Sequence, residues 1–511
     1  MRTAVCLEQE NSDLKQQLAL QQSQISQQHA RIRALEELLA ALRQRQFGSS
    51  SEKIPIDQLS FFNEADNESV ESSDTSILGD AITVGAHTRR ATRRVSIPAE
   101  LPREDILHDV PDDQKFCPHD QTPLHLIGDE LHEQLDIIPA QVKVLRHRRL
   151  KYACPCCQQY VITATKPAQP IEKSFAAPGL LAYIVTQKYV DALPLYRQVE
   201  IFHRIGIELD RTTLANWMVR CGQLIQPLIN LIHDKIMEHG VLHMDETVVQ
   251  VLNEPGKAAQ TQSYMWVMRA TAPHAAVLFH YEPTRGGDVA KHLLREFKGT
   301  LMVDGYEGYH AACVQNNITR LGCWAHARRK FIEAKQAQPK HKTGKADQAL
   351  AWIQQLYRIE LDSKDKSADD KYTVRLQLAQ PIIDKLKIWL EKSILNVPPK
   401  TAIGKALHYM HTQWPRLIRY LEHGEYPIDN NPAENAIRPF VIGRKNWLFS
   451  ASQQGAAASA NLYSLIETAK ANGLEPYAYL RKIFTELPKA TTLAEIEELL
   501  PWQINVKGAV G

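Results

Sequence analysis

The chain has 511 residues, too many for one hydrophobic core, so several domains are expected. Hydrophobic content of 44% is ordinary for a globular protein. No apolar run reaches the ~18 residues of a membrane span, and the polar start MRTAVCLEQENSDLKQQ excludes a secretory signal, so a cytoplasmic protein is expected.

A net charge of +2 does not by itself announce nucleic acid, but the charge is unevenly spread. Residues 61–80 are acidic with no basic residue, whereas RRATRR (89–94), RHRRLK (146–151) and HARRK (326–330) are basic patches able to bind phosphates or to act as plain solvated surface.

Residues 4–47 carry a heptad. Leu18, Ile25, Ile32 and Leu39 are spaced by seven; Leu7, Leu14, Leu35 and Leu42 keep a second frame, with Gln21 and Gln28 in its gaps and Asn11 on the first. This predicts a coiled coil roughly 60 Å long and self-association; a helix folded onto its own body is the alternative. Residues 48–97 read as a linker, acidic with the composition of disorder and basic at its end.

Residues 98–166 read as a small domain. CPHD (117–120) and CPCC (154–157) supply Cys154 and Cys157 as a Cys-x-x-Cys knuckle and Cys117 as a third ligand, with Asp120 or His119 as the fourth. In a reducing compartment this cluster suggests structural Zn²⁺ before a disulfide, although zinc accepts Asp less often than Cys or His. The competing reading is a metal-free β-hairpin domain with buried thiols. Cys6, Cys221, Cys313 and Cys323 are scattered and read as buried thiols.

Residues 174–230 read as helical. PLYRQVEIFHRI is amphipathic, Gly206 breaks it, and DRTTLANWMVRCG starts a new helix. That is a helix-turn-helix outline, with Arg211, Thr212, Thr213 and Asn216 able to face a DNA groove; the same outline is common in helical pairs that bind nothing.

From 240 to 334 the period changes to two. Strands are expected at 241–252, 263–271 and 275–282, then a helix at 286–297. A fourth strand at 299–310 runs into a turn at Asp304–Gly305, and 318–334 holds a fifth strand and a helix. Residues 335–425 are expected to be helical throughout, an insertion before 426–485. That last segment holds DNNPAENAIRPF (429–440), a Gly/Ala/Ser-rich turn and a helix at 460–473, and 486–511 is read as a tail.

Three antiparallel strands, a helix, two more strands and a helix is the order of a ribonuclease H-like fold. There, acidic residues from the first strand and the end of the fourth meet a third from a later helix. Asp245, Asp304 and Glu434 occupy those places. A carboxylate inside an apolar strand is costly unless it is paired or binds a metal. Clustered hard oxygens suit Mg²⁺ or Mn²⁺, and two such ions ~3.5–4 Å apart can drive phosphodiester transfer. For Glu434 a plainer reading competes: Asn431 as N-cap, Pro432 at the first helical position and Glu434 three after the cap form a capping-box pattern. Glu246 adjoins Asp245 but faces the other side of the strand and is set aside. Arg438, one turn from Glu434, with Arg444, Lys445 and Arg329 are candidate DNA-phosphate contacts. His326 is either a contact to the scissile phosphate or a structural histidine.

These motifs resemble the insertion sequence 66 family of DDE transposases over nearly the whole chain. RQFGSSSEK after the heptad resembles the end of the family's N-terminal zipper, and the 117–157 segment its zinc-binding domain. HMDETVVQV, VDGYEGYH, CWAHARRKF, DNNPAENAIRPF and LYSLIETAKANGLEPYAYL resemble its catalytic and C-terminal regions. The resemblance implies a ribonuclease H-like catalytic domain interrupted by a helical insertion. It implies Mg²⁺-dependent cleavage at the ends of a mobile element, strand transfer into target DNA, and accessory proteins of the same element. It carries the acidic triad onto Asp245, Asp304 and Glu434 and the zinc ligands onto Cys117, Cys154 and Cys157, departing at Asp120, where a fourth Cys is expected. The rival readings are a catalytically inactive, transposase-derived DNA-binding regulator and a structure-selective nuclease on the same fold.

Overall fold

The computed structural model describes residues 141–153, 161–337 and 344–504, with scattered positions among the first 134. The chain divides into two units, residues 71–165 and the remainder. Within the first, β1 (Lys151–Ala153) pairs antiparallel with β2 (Val161–Thr163), Lys151 opposite Thr163. Arg146, Arg148, Arg149 and Lys151 are exposed there. Cys117, Asp120, Cys154 and Cys157 lie outside the described residues, and His119 is exposed. Of the heptad, Leu18, Ile25 and Ile32 of the first frame and Gln21 and Gln28 of the second are described; they are helical and exposed, while the other positions of both frames lie outside the described residues.

In the larger unit, α1 (Pro178–Tyr189) and α2 (Leu195–Arg204) precede Gly206, whose φ of +79° lets the chain turn where a Cβ would be strained. Asp210 then caps α3 (Arg211–Leu224): its carboxylate accepts the Thr213 amide at 2.8 Å and the Thr213 hydroxyl at 2.7 Å. α4 (Gln226–Met237) leads into the sheet.

The sheet is mixed. β3 (Val241–Asn253), β4 (Gln262–Ala270) and β5 (Ala276–Glu282) form an antiparallel meander. After α5 (Gly287–Leu293), β6 (Thr300–Val303) returns parallel to β3 on its free side. After α6 (His310–Gln315), β7 (Thr319–Gly322) adds parallel to β6. The order is β5-β4-β3-β6-β7, with the short β8 (Ser450–Ser452) pairing on the far end of β3. The expected fourth strand and the helix at 286–297 are both shorter here, ending at Val303 and Leu293.

α7 (Trp324–Gln336) leaves the sheet and starts a second core around Trp324 and Phe331. α8 (Lys345–Asp362) leads through α9 (Ala368–Val374) and a π turn into α10 (Gln380–Leu395), and α8, α10 and α11 (Ala402–Leu417) close that core. The insertion is therefore a helical bundle with breaks at 363–367 and 396–401 rather than helical throughout. Buried Arg375 ties it together, bonding Glu360 through two nitrogens and the carbonyls of Tyr420 and Tyr426.

α12 (Asn431–Trp447) packs back on β3 and β4. α13 (Gln453–Ala471) then covers β5. The Gly/Ala/Ser-rich segment, expected as a turn, is the first half of this helix. Its small residues allow close approach: a Cβ on Gly222 of α3 would sit 2.7 Å from Ala458. Ser464 and Thr468 accept the amides of Phe279 and Val277 at 2.7 and 3.0 Å, satisfying the outer edge of β5. α14 (Pro476–Glu486) and α15 (Leu493–Glu497) follow; Leu499, Leu500 and Trp502 pack on the main core, so the expected tail is docked as far as residue 504. Among the described residues no helix is long and apolar enough to cross a membrane.

Candidate active site

The sheet brings two carboxylates level. β3 and β6 run parallel with Val241 opposite Thr300 and His243 opposite Met302. Continuing that register sets Asp304 beside Asp245, on strands ~4.8 Å apart. Asp304 follows the last residue of β6 and folds over its own turn, its Oδ1 accepting the Tyr306 amide at 2.8 Å. Asp245 accepts the Glu246 amide at 2.8 Å. Burial first, then the charges of Glu246, Glu434 and Asp304, hold the Asp245 carboxyl well above its usual range. Glu434 and Asp304 thus both lie within electrostatic reach of Asp245.

Glu434 arrives on α12, and the start of that helix is pinned from several sides. Asn430 is fully buried: its amide nitrogen donates to the Met244 carbonyl at 2.7 Å, beside Asp245, and its Oδ1 lies 3.2 Å from His243 Nδ1. Its side-chain NH₂ is spent on Met244, so Oδ1 is the acceptor and His243 carries the proton on Nδ1. The Asn430 backbone amide donates to Cys323 Sγ. Asp429 accepts the Asn431 backbone amide at 3.0 Å and its side-chain NH₂ at 2.8 Å. Arg269 of β4 donates to the Pro432 carbonyl at 2.9 Å. Asn430, not Asn431, sits at the cap position and makes no side-chain cap bond, so the capping box read for Asn431 and Glu434 does not form. Tertiary bonds to Asn430 and Asp429 replace it.

Glu434 faces α7. Its Oε2 accepts from Arg329 Nη2 at 2.9 Å, and its Oε1 lies 3.5 Å from His326 Nδ1. Neither that oxygen nor that nitrogen has a hydrogen-bond partner, although both are buried. Cys323 Sγ, His326 and Glu434 offer ligand atoms within 4.8 Å of one another. Burial lowers the His326 pKa, opposed by the Glu434 charge.

The expected DNA contacts separate. Arg438 and Lys445 are exposed on α12. Arg444 is turned inward onto the Thr247 hydroxyl at 3.0 Å and the Val248 carbonyl, so it fastens α12 to β3. Arg329 donates to Glu434 while about half of its side chain still meets solvent. Arg211 and Asn216 are exposed at the start of α3, whereas Thr213 is engaged in the Asp210 cap.

Sequence reasoning set Glu246 aside, yet its side chain is only 2% exposed and its charge acts on Asp245. It accepts from Arg285 Nε at 2.6 Å and from the Tyr309 hydroxyl at 2.5 Å. Arg285 in turn lies 4.0 Å over the Tyr306 ring, in the Asp304 turn. Arg320 on β7 was missed as well. Its Nη2 donates to the carbonyls of Asp304 at 3.0 Å and Tyr306 at 2.7 Å. Its sequence signal, a lone charge in a short four-residue strand, is visible only once that strand is known to be buried.

A family model described as "Transposase IS66 family" matches residues 173–458, the segment that carries all three carboxylates. The chain belongs to the IS66 transposase family. The IS66 C-terminal element matches 464–502, the zinc-finger binding domain of transposase IS66 matches 114–158, and "Transposase C of IS166 homeodomain" matches 34–106. The chain is similar to three proteins of Sinorhizobium fredii (strain NBRC 101917 / NGR234). Uncharacterized protein y4qI is 33% identical, covering 93% of this chain and 89% of that one. Uncharacterized protein y4jD is 32% identical over 80% and 81%, and uncharacterized protein y4hP is 29% identical over 82% and 78%. No solved structure matches. Membership of the family supports a transposase role for this IS66 chain, with DNA as its partner.

Proposed function

We propose that this IS66 transposase cleaves the ends of a bacterial insertion sequence and joins them to target DNA by metal-dependent phosphodiester transfer, with Asp245, Asp304 and Glu434 as its carboxylate triad. The observation that carries the reading is the convergence of these residues, from the middle of β3, the end of β6 and the first turns of α12. The fold we infer is ribonuclease H-like, on the strand order β5-β4-β3-β6-β7 with an antiparallel meander and two parallel strands.

The residues fit a hard divalent cation. Glu434 Oε1 is buried without a hydrogen-bond partner, and Asp245 is crowded by neighbouring carboxylates, a repulsion that a cation relieves. Asp245, Asp304 and Glu434 would hold Mg²⁺ or Mn²⁺, which when bound activates the attacking hydroxyl and stabilises the leaving oxygen. Arg438 and Lys445, exposed on the helix of Glu434, position the DNA backbone. His326 contacts the scissile phosphate from beside Glu434. Arg211 and Asn216 read the element ends from the start of α3. Zn²⁺ at Cys117, Cys154 and Cys157 with Asp120 is the proposed ligand set of the zinc-finger region, and the N-terminal heptad is the proposed seat of a coiled-coil self-association. Accessory proteins of the same element complete the proposed assembly.

The test is incubation of purified protein with Mg²⁺ and a labelled duplex carrying the DNA that flanks the gene, with Asp304→Asn as control. Nicks at one defined position, absent from the variant, and joined strand-transfer products are expected. Binding without nicking would favour a DNA-binding regulator, a reading that the Arg329–Glu434 pair supports by already neutralising one carboxylate.

A further inference from the structure

Two limbs of the site, the Asp304 turn and the entry to the Glu434 helix, are each touched by the helical insertion. α11 lies across the Asp304 turn. A Cβ on Gly305 would sit 3.0 Å from the Tyr409 ring and 3.2 Å from the Gln413 amide, so this position is kept bare for the insertion helix. Gly322, at the end of β7, makes the same allowance: a Cβ there would sit 3.1 Å from the Leu417 amide nitrogen. Trp324 Nε1 fixes the end of α11 from below, donating to the Leu417 carbonyl at 2.8 Å.

From this seat Arg416 reaches Glu307, three residues after Asp304, at 2.8 and 3.4 Å through two nitrogens. Glu307 also lies 3.8 Å from Arg320, the residue that holds the Asp304 and Tyr306 carbonyls. Glu307 therefore sits between two arginines, and its charge lets both stay close to the turn. Its side chain is 62% exposed, so the pair adds little to global stability. Its effect is local, on the conformation that presents the Asp304 carboxylate.

The second limb is held by α8. The Tyr357 hydroxyl donates to Asp429 Oδ2 at 2.8 Å, and Asp429 in turn holds Asn431 at the head of the Glu434 helix.

We propose that the helical insertion is a positioning device for the carboxylate site, gripping the Asp304 turn through Arg416–Glu307 and the head of the Glu434 helix through Tyr357–Asp429. The inference rests on the reading of Asp304 and Glu434 as metal-binding carboxylates, but its physical content, ordering of two segments in the metal-free protein, can be measured separately. Arg416, Glu307, Tyr357 and Asp429 are positioning residues.

The experiment uses the full chain. Hydrogen exchange by mass spectrometry, without metal, follows peptides covering 304–310 and 430–436 in the wild type, Glu307→Gln, Arg416→Gln, the double variant and Tyr357→Phe. Mn²⁺ affinity is then measured by calorimetry on the same proteins and on Asp304→Asn. Glu307→Gln should speed exchange at 304–310 by about three- to tenfold, because Arg320 and Arg416 are left facing each other. Arg416→Gln should do so less, and the double variant should be milder than Glu307→Gln because the repulsion is gone. Tyr357→Phe should loosen 430–436 and leave 304–310 unchanged. Mn²⁺ binding should weaken in the same rank order. Unchanged exchange in both peptides, or additive effects in the double variant, would overturn the proposal. Altered exchange with unaltered Mn²⁺ binding in Glu307→Gln would confine the insertion to a structural role and overturn it as well. If Asp304→Asn binds Mn²⁺ like the wild type, the carboxylate reading fails, and the exchange measurement still decides whether the insertion orders the two segments.

Discussion

Arg329→Gln tests how far the Glu434 carboxylate is already committed. The guanidinium donates to Glu434 Oε2 at 2.9 Å, with the two side chains 48% and 20% exposed. A cation at the site must share Glu434 with it. At that separation and the dielectric of water the attraction is about 1.4 kcal/mol. Side-chain entropy and counterions offset part of it, leaving about 1 kcal/mol. Removing the guanidinium should therefore tighten Mn²⁺ binding about fivefold, read by calorimetry at low ionic strength. Raising the salt should shrink the difference, since half of the Arg329 side chain meets solvent. The structural alternative makes the opposite prediction. If Arg329 orients Glu434 for the metal rather than competing with it, the variant will bind Mn²⁺ more weakly at every salt concentration, and the reasoning above is wrong.

Two further outcomes follow from buried polar groups. Burial holds the His280 pKa down to about 4, and its Nε2 has no hydrogen-bond partner. The folded protein keeps it neutral while the unfolded chain takes up a proton below about 6.5, so its contribution is present above pH 6.5 and is lost as pH falls towards 4. At most about 3 kcal/mol is involved, and His280→Leu should flatten the acid side of the urea-stability curve; parallel curves for the two proteins would count against this. Asn430→Ala strips partners from the Met244 carbonyl and His243, an expected loss of about 2–4 kcal/mol seen as a lower urea midpoint, with cleavage falling about a hundredfold as Glu434 shifts; a loss below about 1 kcal/mol would show that the pin is redundant.

What could be read from the sequence follows from which interactions are local. The alternation around Asp245 and the Asp304–Gly305 pair are local signals, and both mark real elements. The level placement of the two carboxylates is a property of strand register across two intervening strands and a helix, which no local pattern encodes. Gly305 reads as a turn residue, but its bareness also answers to Tyr409 and Gln413, more than a hundred positions later. Alternation set Glu246 apart from Asp245, yet could not reveal that it is buried and bonded to Tyr309 and Arg285. The Gly/Ala/Ser run at the start of α13 was read as a turn, but its alanines are strong helix formers and their small side chains let α3 approach closely. The DNNP segment was legible as a helix start, but its cap is tertiary: Asn430 is consumed by β3, and Asp429 does the local work.

The distribution of these bonds explains how a repulsive site can be assembled. Asp245, Asp304 and Glu434 belong to elements far apart in sequence, and at close range their charges would splay any flexible support. The carboxylate oxygens cannot all be satisfied by protein donors without closing the place where a cation would bind. The restraints fall on the backbone and on neighbouring residues instead: Arg320 on the carbonyls of Asp304 and Tyr306, Asn430 on the carbonyl before Asp245, Arg269 on the carbonyl of Pro432. Each fixes where a carboxylate stands without consuming its oxygens, leaving Glu434 Oε1 bare. One oxygen each of Asp304 and Asp245 accepts only a neutral backbone amide, from Tyr306 and Glu246, whereas Arg329 sets a full positive charge on Glu434, and that is why its removal is the perturbation most able to distinguish a site built for a metal from one already neutralised by its own chain.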